Sequence, residues 1–178
     1  MSRDRRPLSL TTCPRGPGRC GPFLFFEWSS FLMAFPMFTD FFKSVRENSA
    51  ATFSRIKDRT AFNRVVWACF LVGRADGDFD ANERKATAAL IHEKLPQYSL
   101  DDILEVIAKA EAKIDFDPNL GAMEIIDEVG KARGDAAEAI IRAAVYIGGA
   151  DGDFDDTEKG IVRQLCSRMD INPANYGL

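Results

Sequence analysis

A chain of 178 residues with 46% hydrophobic and 28% charged residues is long enough for one domain with a real core and too short for two large ones. Its formal net charge of −4 is unevenly placed. Residues 1–36 hold five arginines (Arg3, Arg5, Arg6, Arg15, Arg19) against Asp4 and Glu27, which leaves 18 basic and 25 acidic groups, a formal −7, in the remainder. Such an acidic body argues against nucleic acid as the main partner, because phosphate binding relies on clustered Lys and Arg.

The first 36 residues open with arginines and a Pro/Gly-rich stretch and lead into an apolar run from Phe23 to Phe38. Glu27 interrupts that run, no small-residue cleavage site follows, and it is too short for a spanning helix. We read 1–36 as an N-terminal extension outside the fold, either disordered or a start-site artefact, with translation normally beginning at Met33 or Met37. A membrane-surface anchor is the alternative. Residues 37–178 are then the helical domain.

The apolar pattern Phe41, Phe42, Val45, Ala50, Phe53 and Ile56 predicts a first amphipathic helix over 40–56, or a helix with a break near Asn48. A second follows over 60–75 (Phe62, Val65, Val66, Cys69, Val72), after which Gly77 supplies a left-handed turn. The third opens at Asp80 and stops before Pro96. The fourth runs over 99–114, capped by Ser99 and apolar at Leu100, Ile103, Leu104, Ile107 and Ala110. Pro118 suits the first turn of a fifth, carrying Leu120, Met123, Ile126 and Val129. A sixth begins at Gly134 or Asp135 and ends at Gly152, and a seventh covers 155–169. No segment alternates as a strand would, so the expected fold is all α, a compact bundle of about seven helices.

Within it the octapeptide D-G-D-F-D-x-x-E occurs twice, from Asp76 to Glu83 and from Asp151 to Glu158, 75 residues apart. Ala68, Gly73, Ala75 and Leu90 match Ala143, Gly148, Ala150 and Leu165 at the same offset. Two copies are too few for an open solenoid, so we expect an internal pseudo-two-fold repeat of helix–acidic loop–helix units in a closed domain. Gly73 and Gly148 are positions that permit close helix contact.

Part of the octapeptide is explained without a ligand. Asp80-x-x-Glu83 and Asp155-x-x-Glu158 have the form of capping boxes. Capping leaves Asp76, Asp78, Asp151 and Asp153 unexplained: Asp76 and Asp151 are expected where a preceding helix presents the negative end of its dipole, and the further carboxylates add repulsion. A divalent cation would relieve that repulsion. The candidate metal ligands are therefore Asp76, Asp78, Asp80, Glu83, Asp151, Asp153, Asp155 and Glu158, and all-oxygen donors favour calcium, with magnesium or manganese behind it. The loop is not an EF-hand: its sixth positions are Ala81 and Asp156 and its twelfth Thr87 and Val162, where an EF-hand needs Gly and Glu. Phe79 and Phe154, at the centre of each loop, are expected to insert into the core, with a partner surface as the alternative.

Four cysteines without a C-x-x-C pair make no zinc site. Cys69 and Cys166 fall in helical apolar patterns and read as buried free thiols, suited to a reducing cytoplasm. His92 is the only histidine, so no nucleophile–His–acid set can be built, and no phosphate-binding glycine loop is present. We expect no enzyme and no catalytic residue.

The doubled D-G-D-F-D-x-x-E, the start M-F-T-D-F-F-K-S-V at Met37–Val45, I-D-F-D at Ile114–Asp117 and the ending N-P-A-N-Y-G-L at Asn172–Leu178 resemble the tellurite resistance protein TerB family over essentially all of 37–178. The resemblance implies an all-helical, cytoplasmic bacterial protein of tellurite resistance and wider stress responses, with acidic residues proposed to bind metal. It also implies membrane-associated protein partners of the same resistance system, and recruitment to the inner face of the membrane. Two readings follow: a cation-responsive adaptor, or a metal-independent interaction module with an acidic docking face.

Overall fold

The computed structural model describes residues 53, 56–77, 79–150 and 154–178. Among them are six α-helices: α1 (Arg59–Gly73), α2 (Ala81–Lys94), α3 (Leu100–Phe116), α4 (Pro118–Val129), α5 (Asp135–Gly148) and α6 (Asp156–Met169). A short 3-10 helix over Pro173–Tyr176 follows, and no strand is present among the described residues. The helix expected over 40–56 lies outside the described residues apart from Phe53 and Ile56, which are both buried. The boundary expected between residues 36 and 37 lies outside them too.

Local chemistry sets most helix starts. Asp58 caps α1 through the N–H groups of Thr60 and Ala61 at 2.8 and 2.9 Å. Ser99 and Asp102 form a capping box at α3, and Ser99 with Arg59 holds the Asp102 carboxyl down to about 2. Pro118 occupies the first turn of α4, where its missing N–H leaves no bond unmade. The ends differ more from expectation. Helix α1 stops at Gly73, not Ala75, and α5 stops at Gly148, not Gly152. Gly77 adopts φ +110° in the turn after α1 has already ended.

Long-range pairs fix the helix directions. Arg59 and Asp102, both in first turns, meet at 2.8 Å, and Val72 approaches Gly148 near the last residues of α1 and α5. Helices α1, α3 and α5 therefore run the same way. Arg84 in the first turn of α2 reaches Glu111 near the end of α3 at 2.7 Å. Arg168 and Asp127, in the last turns of α6 and α4, meet at 2.9 Å, so these two run the same way. Helices α2, α4 and α6 return antiparallel, as short connections between neighbours require. The α1–α2, α3–α4 and α5–α6 connections consequently share one end of the bundle.

Helices α1 and α5 are its centre. The expected single face of α1 is exceeded: Ala68, Phe70 and Leu71 are buried along with Phe62, Val65, Val66, Cys69 and Val72, because other helices cover α1 on nearly every side. Helix α5 buries nine of its fourteen residues in the same way. Trp67 donates its Nε1–H to the Val106 carbonyl at 3.2 Å, and the Phe62 and Tyr98 rings stack with centroids 3.8 Å apart.

Helix α4 corrects the sequence reading. Leu120 and Met123 are exposed, and the inward face is Gly121, Ile125, Ile126 and Val129. The reason is Gly121, whose missing side chain lets the α4 backbone meet the end of α3: a Cβ there would stand 2.4 Å from the Lys113 carbonyl oxygen. Turning Gly121 toward α3 turns Leu120 and Met123 outward. Leu100, expected on the apolar face of α3, is likewise exposed, while Val106 and Ile114 join that face.

Candidate functional site

The acidic loops leave from the end of the bundle where α1 and α5 terminate. In the first, Asp76 is exposed three residues beyond α1. Asp80, extended at φ −75° and ψ 175°, accepts at Oδ1 from the N–H groups of Asn82 and Glu83 at 2.6 and 2.9 Å. Glu83 Oε2 accepts from the Asp80 N–H at 2.7 Å. The Glu83 and Asn82 N–H groups hold the Asp80 carboxyl below its usual range, since they stabilise its charged form.

The second loop repeats this geometry. Asp155, at φ −78° and ψ 175°, accepts at Oδ1 from Thr157 and Glu158 at 2.7 and 2.8 Å. Its own N–H donates to Glu158 Oε2 at 3.0 Å. Both expected capping boxes are thus formed. Asp155→Ala should destabilise the protein by about 1 kcal/mol, read as a lower urea midpoint with unchanged slope; an unchanged midpoint would show that the cap contributes nothing.

Both phenylalanines go inward, as expected, with Phe79 8% and Phe154 7% exposed. The Phe79 ring meets Phe70 edge to face at 5.2 Å. The sequence reading missed what accommodates these rings. A Cβ on Gly73 would lie 3.0 Å from Phe79 Cε2, and one on Gly148 would lie 2.5 Å from Phe154 Cε2. Each glycine is a notch at the end of a helix for the ring six residues later in the same loop. At Gly148 the close helix approach expected from sequence is present as well, since the same Cβ would stand 3.1 Å from Val72 Cγ1 of α1. The signal was available as the G-x5-F spacing at Gly73–Phe79 and Gly148–Phe154.

Of the eight candidate ligands, Asp76, Asp80, Glu83, Asp155 and Glu158 are placed, while Asp78, Asp151 and Asp153 lie outside the described residues. Among the described residues no three ligating side chains gather. Cys69 and Cys166 are buried free thiols. Burial raises the Cys69 pKa far above the ordinary thiol range and pushes Cys166 up to about 11, so neither is a thiolate at neutral pH. His92 is partly buried, with Nδ1 2.8 Å from the Tyr98 carbonyl oxygen.

The described residues define an all-helical bundle that presents capped acidic loops at one end. The chain belongs to the tellurite resistance protein TerB family, whose pattern matches residues 63–177 and so includes both loops. Comparison with curated proteins and with solved structures finds no match. No helix among the described residues is long and apolar enough to cross a membrane.

Proposed function

We propose that the protein is a non-enzymatic, metal-binding adaptor of a tellurite resistance and stress response system. A divalent cation, calcium ahead of magnesium or manganese, neutralises its acidic loops and changes how it docks. The carrying observation is the doubled loop, in which each capping box uses one aspartate and one glutamate, so that capping does not account for Asp76, Asp78, Asp151 and Asp153 of the repeated sequence. The oxygen donors suit a hard cation. The placed carboxylates form no three-ligand group, so the first site depends on Asp78 and the second on Asp151 and Asp153. In this reading the two loops are related by an internal two-fold repeat, and a further helix before Arg59 makes seven. The protein works in the cytoplasm, recruited to the inner face of the membrane by protein partners of the same system.

A second reading, a metal-independent module with an acidic docking face, is favoured by the capping boxes, which account for Asp80, Glu83, Asp155 and Glu158 without any ligand.

Calorimetric titration of the full chain with calcium separates the two. The expected result is saturable binding that disappears in the combined Asp76→Asn, Asp78→Asn, Asp151→Asn, Asp153→Asn variant, which keeps both caps. A cation that binds only the native state also raises the melting temperature. Silence toward calcium, magnesium and manganese would leave the metal-independent module.

A further inference from the structure

The triad Asp-Phe-Asp occurs a third time, at Asp115, Phe116 and Asp117, and the helix directions bring it to the same end of the bundle as Phe79–Asp80 and Phe154–Asp155. In each, the last aspartate caps the next helix; Asp117 Oδ1 accepts from Asn119 and Leu120 at 3.1 and 3.0 Å. The phenylalanines differ. Phe79 and Phe154 are buried, whereas Phe116 is 89% exposed. Connection length accounts for the contrast. Phe79 and Phe154 stand in loops long enough to fold back onto Gly73 and Gly148, while Phe116 ends α3 with Asp117 alone before α4 begins.

Leu120 and Met123, in the first two turns of the helix that follows Phe116, are exposed apolar side chains as well. They lie three residues apart on the side of α4 turned away from Gly121 and Ile125, and are 51% and 55% exposed. Exposed apolar groups concentrated at one corner mark interaction sites. The charge around them is one-sided. Glu111, Glu124, Asp127 and Glu128 already have basic partners in Arg84, Lys113, Arg168 and Arg64. Among the described residues, neither Asp115 nor Asp117 pairs with a cation.

We propose that Phe116, Leu120 and Met123, flanked by Asp115 and Asp117, form the docking surface for a basic amphipathic segment of a partner protein. Its apolar face covers the three side chains and its cations meet the two aspartates. Complementary charge selects this occupant over the others, because a second copy meeting it through the same surface would bring the same acids and an anionic lipid surface would be repelled. The inference deepens the adaptor reading and rests on it only for the existence of a partner; it requires no bound cation.

The test uses the full chain in chelator, so that failure of metal binding and failure of this surface are distinguishable. The probe is a fluorescent 20-residue helical peptide of leucine and lysine with leucines at i, i+3 and i+4 spacing. Fluorescence anisotropy should show saturable binding, weakened at least tenfold by Phe116→Ser with Met123→Gln, and weakened again by Asp115→Lys. These positions are exposed, so the melting temperature should stay unchanged. The matching leucine–glutamate peptide and phosphatidylglycerol vesicles should not bind. No binding of the basic peptide, equal binding by the variants, equally tight binding of the acidic peptide or vesicles, or self-association through Phe116 would each overturn the proposal.

Discussion

Phe154→Ala is expected to destabilise the protein by about 3–5 kcal/mol, the usual cost of removing a buried phenylalanine ring. The ring is 7% exposed and sits against Gly148 at the end of α5. Its loss opens a cavity beside the α1–α5 centre, where the collapse needed to close it is opposed by two helices buried on nearly every side. Urea unfolding followed by circular dichroism would read the change as a lower midpoint. A double-mutant cycle gives the sharper result. Gly148→Ala alone should destabilise, because its Cβ would stand 2.5 and 2.6 Å from two carbons of the Phe154 ring. With Phe154→Ala already in place that penalty should shrink or reverse, giving a coupling energy on the order of 1 kcal/mol or more. Additive effects would show that the glycine is not a notch for the ring.

Gly121→Ala is expected to destabilise by about 1–3 kcal/mol, the range of overpacking. The sign is the informative part, since glycine to alanine inside a helix normally stabilises by roughly 0.8–1 kcal/mol. At Gly121 the new Cβ would lie 2.4 Å from the Lys113 carbonyl oxygen, 2.6 Å from its carbon and 2.8 Å from the Ile114 nitrogen. Those are backbone atoms, which cannot rotate aside as a side chain would, so α4 must withdraw from α3. Thermal unfolding of the variant beside a Gly160→Ala control, where a Cβ meets nothing within 4 Å, isolates the contact. Equal or opposite shifts for the two variants would rule it out.

Capping and periodicity made much of the fold legible. Asp80, Ser99, Asp155 and Pro118 start helices through bonds to residues within one turn, so a local reading suffices for them. The orientation of α4 was not legible by the same rule. Leu120, Met123, Ile126 and Val129 have helical spacing, yet α4 meets the α3 backbone closely at Gly121, a residue that carries no hydrophobic weight in a periodic pattern. The candidate site divides in the same manner. The four capping carboxylates were readable from the octapeptide, and the rings were expected inward. The notches that receive those rings and the outward turn of Phe116 depend on how far each connection can fold back.

Helix periodicity, capping and turn chemistry act over a few residues, so the all-helical class, the helix starts and the doubled acidic loops could be read along the chain. Packing settled which helices stand at the centre, which face of α4 is buried, and that Phe79 and Phe154 turn inside while Phe116, at the same end, stays outside. These outcomes follow from backbone approach and mutual covering between residues far apart in the chain: Gly121 against Lys113, Gly148 against Val72, and α1 enclosed by its neighbours.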